Sequence, residues 1–299
     1  MHFTGTIWRP PYEASSLLLE VTAGCTHHKC KFCTLYEDLP FSFRLTPLED
    51  IEEDLQEAKE QLTIWRKREV KRIFLTGANP FVLEYKRLVT IAELIKKSFP
   101  HIQTIGCFAR ITDIISKTDN ELVELRKAGF DGLTIGMETG DDSALQFMNK
   151  GYKSDDIVTQ CKRLERAGIS YNFFYLTGIS GEGKGEEGAE MTANICNELH
   201  PNLIGANMLT VYPQSELYDE IQNGNWIEEN EIEKYKELRV LIRKLKNPVM
   251  FAALGASNMI QLQGRLPEDR EKLLAIIDEI IEQANEKELR KYRKNLRHL

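Results

Sequence analysis

The sequence predicts an α/β fold, a partial (β/α)6 TIM-like barrel followed by a C-terminal helical extension. Three observations predict it. Short β-rich apolar runs alternate with helical patterns through about 210 residues, an order that calls for parallel strands joined by right-handed crossovers. Polar and glycine-rich signals collect just after the strand candidates, the face where barrel sites form, which favours a barrel over an open doubly wound sheet. Neither an internal repeat nor a low-complexity linker interrupts the pattern. The expected division is 1–215 for the barrel and 216–299 for the extension.

Taken in order, the first strand candidate spans 16–23 and runs into a cysteine-bearing loop. Leu48, Ile51, Leu55, Ala58, Leu62 and Trp65 then form one stripe of a 3.6-residue period. Thr46 with Glu49 makes a capping box at its start, and Pro47 takes the first helical position. Strands follow at 70–76, 102–109, 132–137, 169–177 and 203–211, with helices at 85–98, 119–128, 154–167 and 187–199. Beyond Pro213, helices at 228–245 and 268–284 flank a stretch at 247–264.

The 299 residues are 42% hydrophobic and 28% charged, a globular composition with enough chain for a sizeable core. No apolar run approaches the roughly 20 residues that span a bilayer, and no secretory signal opens the chain. A cytoplasmic protein with reduced thiols and no membrane contact is therefore expected. A net charge of -7 argues against a broad nucleic-acid-binding surface. Residues 286–299 carry six Lys or Arg against two Glu and read as a solvated helix end.

The six cysteines divide unevenly: Cys25, Cys30 and Cys33 share nine residues, while Cys107, Cys161 and Cys196 stand singly. Three thiols in one loop converge on a soft metal centre without long-range folding cost. Two metal readings stand side by side. Three thiolates can hold three irons of a cubane iron-sulfur cluster and leave the fourth open, or a Cys3His zinc site can be completed by His27 or His28. Cys161, with Ile157 and Leu164, and Cys196, with Ile195 and Leu199, read as core positions. Cys107 lies on the third strand candidate near the site face and is the weak candidate for a catalytic thiol; packing is its plainer reading.

Six segments follow successive strands or turns: Val21-Thr-Ala-Gly-Cys25, Lys31-Phe-Cys33, Phe74-Leu-Thr-Gly-Ala-Asn79, Gly136-Met-Glu-Thr-Gly140, Leu176-Thr-Gly-Ile-Ser-Gly-Glu182 and Leu209-Thr-Val-Tyr-Pro-Gln-Ser215. Together they resemble the radical S-adenosylmethionine superfamily, in the branch of the oxygen-independent coproporphyrinogen oxidases and tRNA methylthiotransferases. The resemblance covers about residues 14–215. One departure stands out: the superfamily's usual loop has three residues between its first two cysteines, whereas four separate Cys25 from Cys30.

The resemblance implies that Cys25, Cys30 and Cys33 ligate a [4Fe-4S] cluster whose fourth iron is chelated by S-adenosylmethionine. It implies that Phe32 and Gly178 lie near the adenine and that Glu138 takes the ribose hydroxyls. Gly77, Ala78 and Asn79 would meet the methionyl amine, with Asn79 standing where the family has an acid. Arg110, ending the third strand, is a candidate for a forked contact with the methionyl carboxylate. The implied reaction is anaerobic: S-adenosylmethionine is cleaved reductively to a 5′-deoxyadenosyl radical that abstracts hydrogen from a substrate. Its implied partners are a one-electron donor such as flavodoxin or ferredoxin, and a small-molecule, tetrapyrrole or peptide substrate. The stretch 247–264, with Ala256-Ser257-Asn258-Met259, is the expected lining of the substrate cavity. The alternatives are a tRNA-modifying radical enzyme and a non-catalytic zinc scaffold.

Overall fold

The structure, a computed structural model, describes residues 1–64 and 69–296. Trp65 of the expected stripe and the last three residues of the basic tail lie outside them. The chain divides into two compact units. The first comprises Met1–His28, Leu35–Ile135 and Arg163–Tyr171; the second comprises Lys29–Thr34, Gly136–Lys162 and Asn172–Leu299.

The first unit contains β1 (Leu17–Glu20), β2 (Thr22–Gly24), β3 (Phe43–Leu45), α1 (Leu48–Ile64), β4 (Arg72–Thr76), α2 (Tyr85–Ser98), β5 (Thr104–Ala109), α3 (Ile111–Ile115), α4 (Asp119–Ala128) and the start of β6 (Leu133–Glu138). Strands β1, β4, β5 and β6 run parallel in that order, with Leu19 opposite Leu75, Ile73 opposite Ile105 and Phe108 opposite Thr134. Ile73, Phe74 and Leu75 are wholly buried, as continuous apolar runs are in a parallel sheet shielded from water on both faces. Arg72 closes the start of this sheet: its guanidinium forks onto Glu13 and reaches Thr104 Oγ1 at 2.9 Å and the Gly132 carbonyl at 3.1 Å.

The stripe Ile51, Leu55, Ala58 is buried as its period demands. Helix α4 has the boundaries its sequence announces: Thr118 and Glu121 form a capping box, and Gly129 ends it at φ 112°. The run 16–23 is not one strand. It breaks at Val21, and Thr22–Gly24 turns away to pair antiparallel with β3, aided by Gly24 at φ 78°. A short partner strand and the one-turn α3 are below the length at which periodicity is readable.

The second unit holds the end of β6, α5 (Asp142–Phe147), most of α6 (Ser154–Ala167) and of β7 (Tyr171–Thr177), α7 (Gly185–Cys196), β8 (Leu203–Met208), α8 (Glu216–Gln222), α9 (Glu231–Lys244), β9 (Val249–Ala253), β10 (Leu262–Leu266), α10 (Arg270–Gln283) and α11 (Glu286–Lys294). Strands β7, β8 and β9 are parallel, with Phe173 opposite Ile204 and Gly205 opposite Ala252; β10 returns antiparallel on β9. The C-terminal segment is thus not helical alone: 247–264 supplies one strand and the start of another. The tail is likewise more than a solvated end. In α11, Leu289 and Arg293 are buried, and the Arg293 guanidinium forks onto Glu231 at 2.6 and 2.8 Å and donates to Ser257 O at 3.0 Å. Among the described residues no helix is long and apolar enough to cross a membrane.

Candidate active site

In the first unit the candidate residues gather where β2, β4 and β5 end. Cys25 follows β2 with its thiol half-buried, and the His28 backbone N–H points to its Sγ at 3.5 Å. Gly77 and Ala78 follow β4, and the Ala78 N–H donates to Gly24 O at 3.3 Å. At Gly77, with φ 129°, a Cβ would lie 2.6 Å from the Thr22 carbonyl oxygen, so this close approach of two strand ends requires glycine.

Asn79 is fully buried. Its Nδ2 donates to Thr26 Oγ1 at 2.9 Å and to Asp113 at 3.1 and 3.2 Å, while its Oδ1 receives the Thr26 N–H at 3.4 Å. Asp113 in turn accepts the Arg110 N–H at 2.8 Å. A chain of hydrogen bonds therefore links the cysteine loop, Asn79, Asp113 and Arg110. Burial raises the Asp113 carboxyl to about 6, opposed by the Arg110 N–H, Asn79 and the Arg110 and Lys117 charges. Asp113 was not among the residues the sequence singled out; it brings a carboxylate next to the amide that stands in an acid's place. Cys107 lies in the middle of β5, wholly buried, and burial pushes its thiol well up, as for a packing residue.

In the second unit Cys30 and Cys33 are half-buried thiols in a tight turn, the Cys33 N–H donating to Cys30 O at 3.0 Å. Lys31 between them pairs with Glu220 and lies over the Phe147 ring at 4.6 Å, and its backbone binds Met148 O and the Leu217 N–H. Phe32 packs on an apolar cluster of Ala144, Met148, Ile179, Leu209, Leu217 and Trp226, to which Leu176 also contributes. The turn is thus anchored on both sides before any metal binds.

Glu138 ends β6 at φ 63°, a left-handed conformation that costs a non-glycine residue energy and is often found at functional sites. Its Oε1 accepts Lys150 Nζ at 2.9 Å. Lys150 Nζ also lies 5.7 Å from the Phe32 ring centroid and 5.6 Å from that of Tyr152. Burial alone would lower its pKa, but Glu138, Tyr152 and Cys30 hold it above the ordinary lysine value. Lys150 is the second residue that sequence reasoning missed. A basic residue twelve positions after a strand-end acid, across a short helix, has no periodic signature.

Gly178, at φ 89° after β7, is buried, and its N–H donates to Glu237 Oε2 at 2.7 Å. The structure therefore brings Cys25, Gly77, Ala78, Asn79 and Arg110 together in one unit. It places Phe32, Glu138 and Lys150 beside the two remaining cysteines in the other.

The donor set fits a cluster and its polar cofactor. Cys25 in the first unit and Cys30 and Cys33 in the second are half-buried thiols, although among the described residues no three His, Cys, Asp or Glu are placed so as to hold a metal ion; the Thr22 and Thr76 hydroxyls beside Gly77 are buried and make no hydrogen bond among the described residues. Such spare polar capacity suits a polar ligand. Fold and site together define a class: a mostly parallel α/β protein with a three-thiol loop after its first strands and polar groups at the strand ends beyond.

Residues 19–190 match the model of the Radical SAM superfamily, and the chain belongs to it. The cofactors of that family are a [4Fe-4S] cluster and S-adenosylmethionine. Among curated proteins the chain is similar to the heme chaperone HemW of Buchnera aphidicola, 22% identical over 209 residues, 69% of this chain and 53% of that protein. It is also similar to the heme chaperone HemW of Bacillus subtilis, 22% identical over 157 residues, covering 52% and 41%. The chain thus spans about half the length of the curated relatives it matches. Among solved structures it resembles the radical S-adenosylmethionine methyltransferase TsrM of Kitasatospora setae, with cobalamin and a [4Fe-4S] cluster bound (16% identity, 70% of this chain and 37% of that one, TM-score 0.55). It also resembles methylornithine synthase (12% identity, 93% and 85%, TM-score 0.51). At these identities the likeness is one of fold.

Proposed function

We propose that the protein is a radical S-adenosylmethionine enzyme that uses Cys25, Cys30 and Cys33 to hold the cluster. The thiol triplet, set in a loop anchored by its own Lys31 and Phe32 within the family's domain, carries this reading. When bound, cluster and S-adenosylmethionine supply an electron and a hydrogen-abstracting radical; the protein supplies placement. Phe32 and Gly178 would flank the adenine, and Glu138, held by Lys150, would accept the ribose hydroxyls. Gly77 and Ala78 would meet the methionyl end through their backbone, with Asn79 and Asp113 behind them and Arg110 as the cation for the carboxylate.

Among small-molecule, tetrapyrrole and peptide substrates, a tetrapyrrole is favoured, because both curated relatives are heme chaperones. A one-electron donor such as flavodoxin or ferredoxin, a cytoplasmic location and anaerobic operation complete the reading. The test is anaerobic reconstitution followed by reduction with dithionite. About four irons and four sulfides per chain and release of 5′-deoxyadenosine are expected. A protein that takes up one zinc, forms no cluster and releases no 5′-deoxyadenosine would falsify it. Titration with heme or coproporphyrinogen, followed by absorbance, tests the tetrapyrrole; absence of saturable binding sinks that part alone.

A further inference from the structure

The loop after β7 is held by two buried carboxyl groups that the proposed chemistry does not use. Glu237, on α9, is 1% exposed and Glu229, just before α9, is 2% exposed. Glu237 Oε2 accepts the Gly178 N–H at 2.7 Å, and its Oε1 accepts the hydroxyl of Tyr175 from β7. The two carboxyls converge on the first residue of α7: a Cβ on Gly185 would fall on Glu229 Oε1 and lie 2.6 Å from Glu237 Oε2. Glycine there leaves room for both. Glu229 Oε2 is buried and has no hydrogen-bond partner among the described residues.

Two carboxylates this close in a dry site do not both ionise; they share a proton. Burial drives both upward, Glu229 to about 7. The groups facing them are few. Lys234 on α9 is the nearby cation, and its ammonium is already engaged by Glu228 at 3.0 Å and Glu231 at 3.5 Å. Glu233 on α9 and Glu186 on α7 add repulsion. Tyr175 is held protonated by burial and by the acids, with neutral Cys196 behind it.

We propose that Glu237 is a positioning residue that forms, with Glu229, a proton-sharing clamp on the Gly178 loop, so that affinity for S-adenosylmethionine falls as the pair gains charge. This rests on the reading that sets Gly178 beside the adenine. The direction follows from linkage. A carboxyl whose pKa in the closed loop lies above its ordinary value favours the closed state at low pH and loses that advantage as pH rises through about 7.

Two measurements on the full chain carrying its cluster test the clamp under anaerobic conditions. Amide hydrogen exchange over 178–185, corrected for intrinsic rate, should show protection falling about tenfold between pH 6 and pH 8. The dissociation constant of S-adenosylmethionine, by equilibrium dialysis, should rise over the same range. Glu229→Gln should flatten both profiles. Glu237→Gln, whose amide oxygen still accepts from Gly178, should bind within about threefold of wild type at pH 6, whereas Glu237→Ala should lose roughly tenfold or more. Identical profiles for wild type and Glu229→Gln, or wild-type affinity in Glu237→Ala, overturn the clamp. Unchanged affinity in Gly178→Ala overturns instead the placement of Gly178 at the adenine, and the exchange measurement then decides the clamp by itself.

Discussion

Asp113 and Lys150 show how a site's charges are set by surroundings that lie far away in sequence. The Asp113 carboxyl sits at about 6 because burial outweighs its hydrogen bonds. Its ionisation therefore costs stability as pH rises from about 4 to about 6, on the order of 3 kcal/mol for a shift near two units. Asp113→Asn does not ionise, so its melting temperature relative to wild type should climb across that window and level off above it; a flat difference would contradict the burial argument. Lys150 is 4% exposed and neutralises Glu138. Lys150→Met should leave that half-buried carboxylate without its cation, at a cost of about 2 kcal/mol read from denaturant unfolding, while Glu138→Gln in the same background restores most of the loss. At this scale the sequence singled out the cysteines and Glu138, whose neighbours in the chain carry the pattern. It was silent on Asp113, Lys150 and Glu237. Nothing local marks an acid or lysine as buried; its partners are brought to it by other elements.

Among the elements, the helices of 85–98, 119–128 and 154–167 were readable to the residue because each repeats its apolar stripe over three turns or so. The strands β2, β3, β9 and β10 were not. Each has three to five residues, and their pairing depends on partners 20 or more residues away or on a turn. This changes what 247–264 does. Truncation after Pro248 would remove β9, which pairs with β8 from Leu203 to Gly205, as well as α10, which packs on α9. The truncated chain is therefore expected to lose cooperative unfolding altogether, measured by calorimetry, rather than to lose substrate turnover selectively. Asn258, whose Nδ2 donates to Ala206 O at 3.0 Å while its Oδ1 is buried without a partner, is the better point at which to probe a cavity-lining role.

For the molecule as a whole, a net charge of -7 and a basic α11 whose Arg290 and Arg293 are spent on Glu228 and Glu231 predict no RNA-binding surface. Filter binding with tRNA at 0.15 M salt should give a dissociation constant weaker than about 10 µM; tight, salt-sensitive binding would bring back a tRNA-modifying role. By itself the sequence determined the alternation of strands and helices, the parallel α/β class and the presence of three thiols within nine residues. These depend on periodicity and on spacing along a few consecutive residues, which the chain records directly. The tertiary structure decided the rest: that the C-terminal segment joins a sheet, that Asn79 is backed by Asp113, that Lys150 holds Glu138, and that Glu237 accepts the Gly178 N–H. Each of these is a contact between residues distant in the chain, and its energy comes from burial and desolvation, which exist only once the chain has folded.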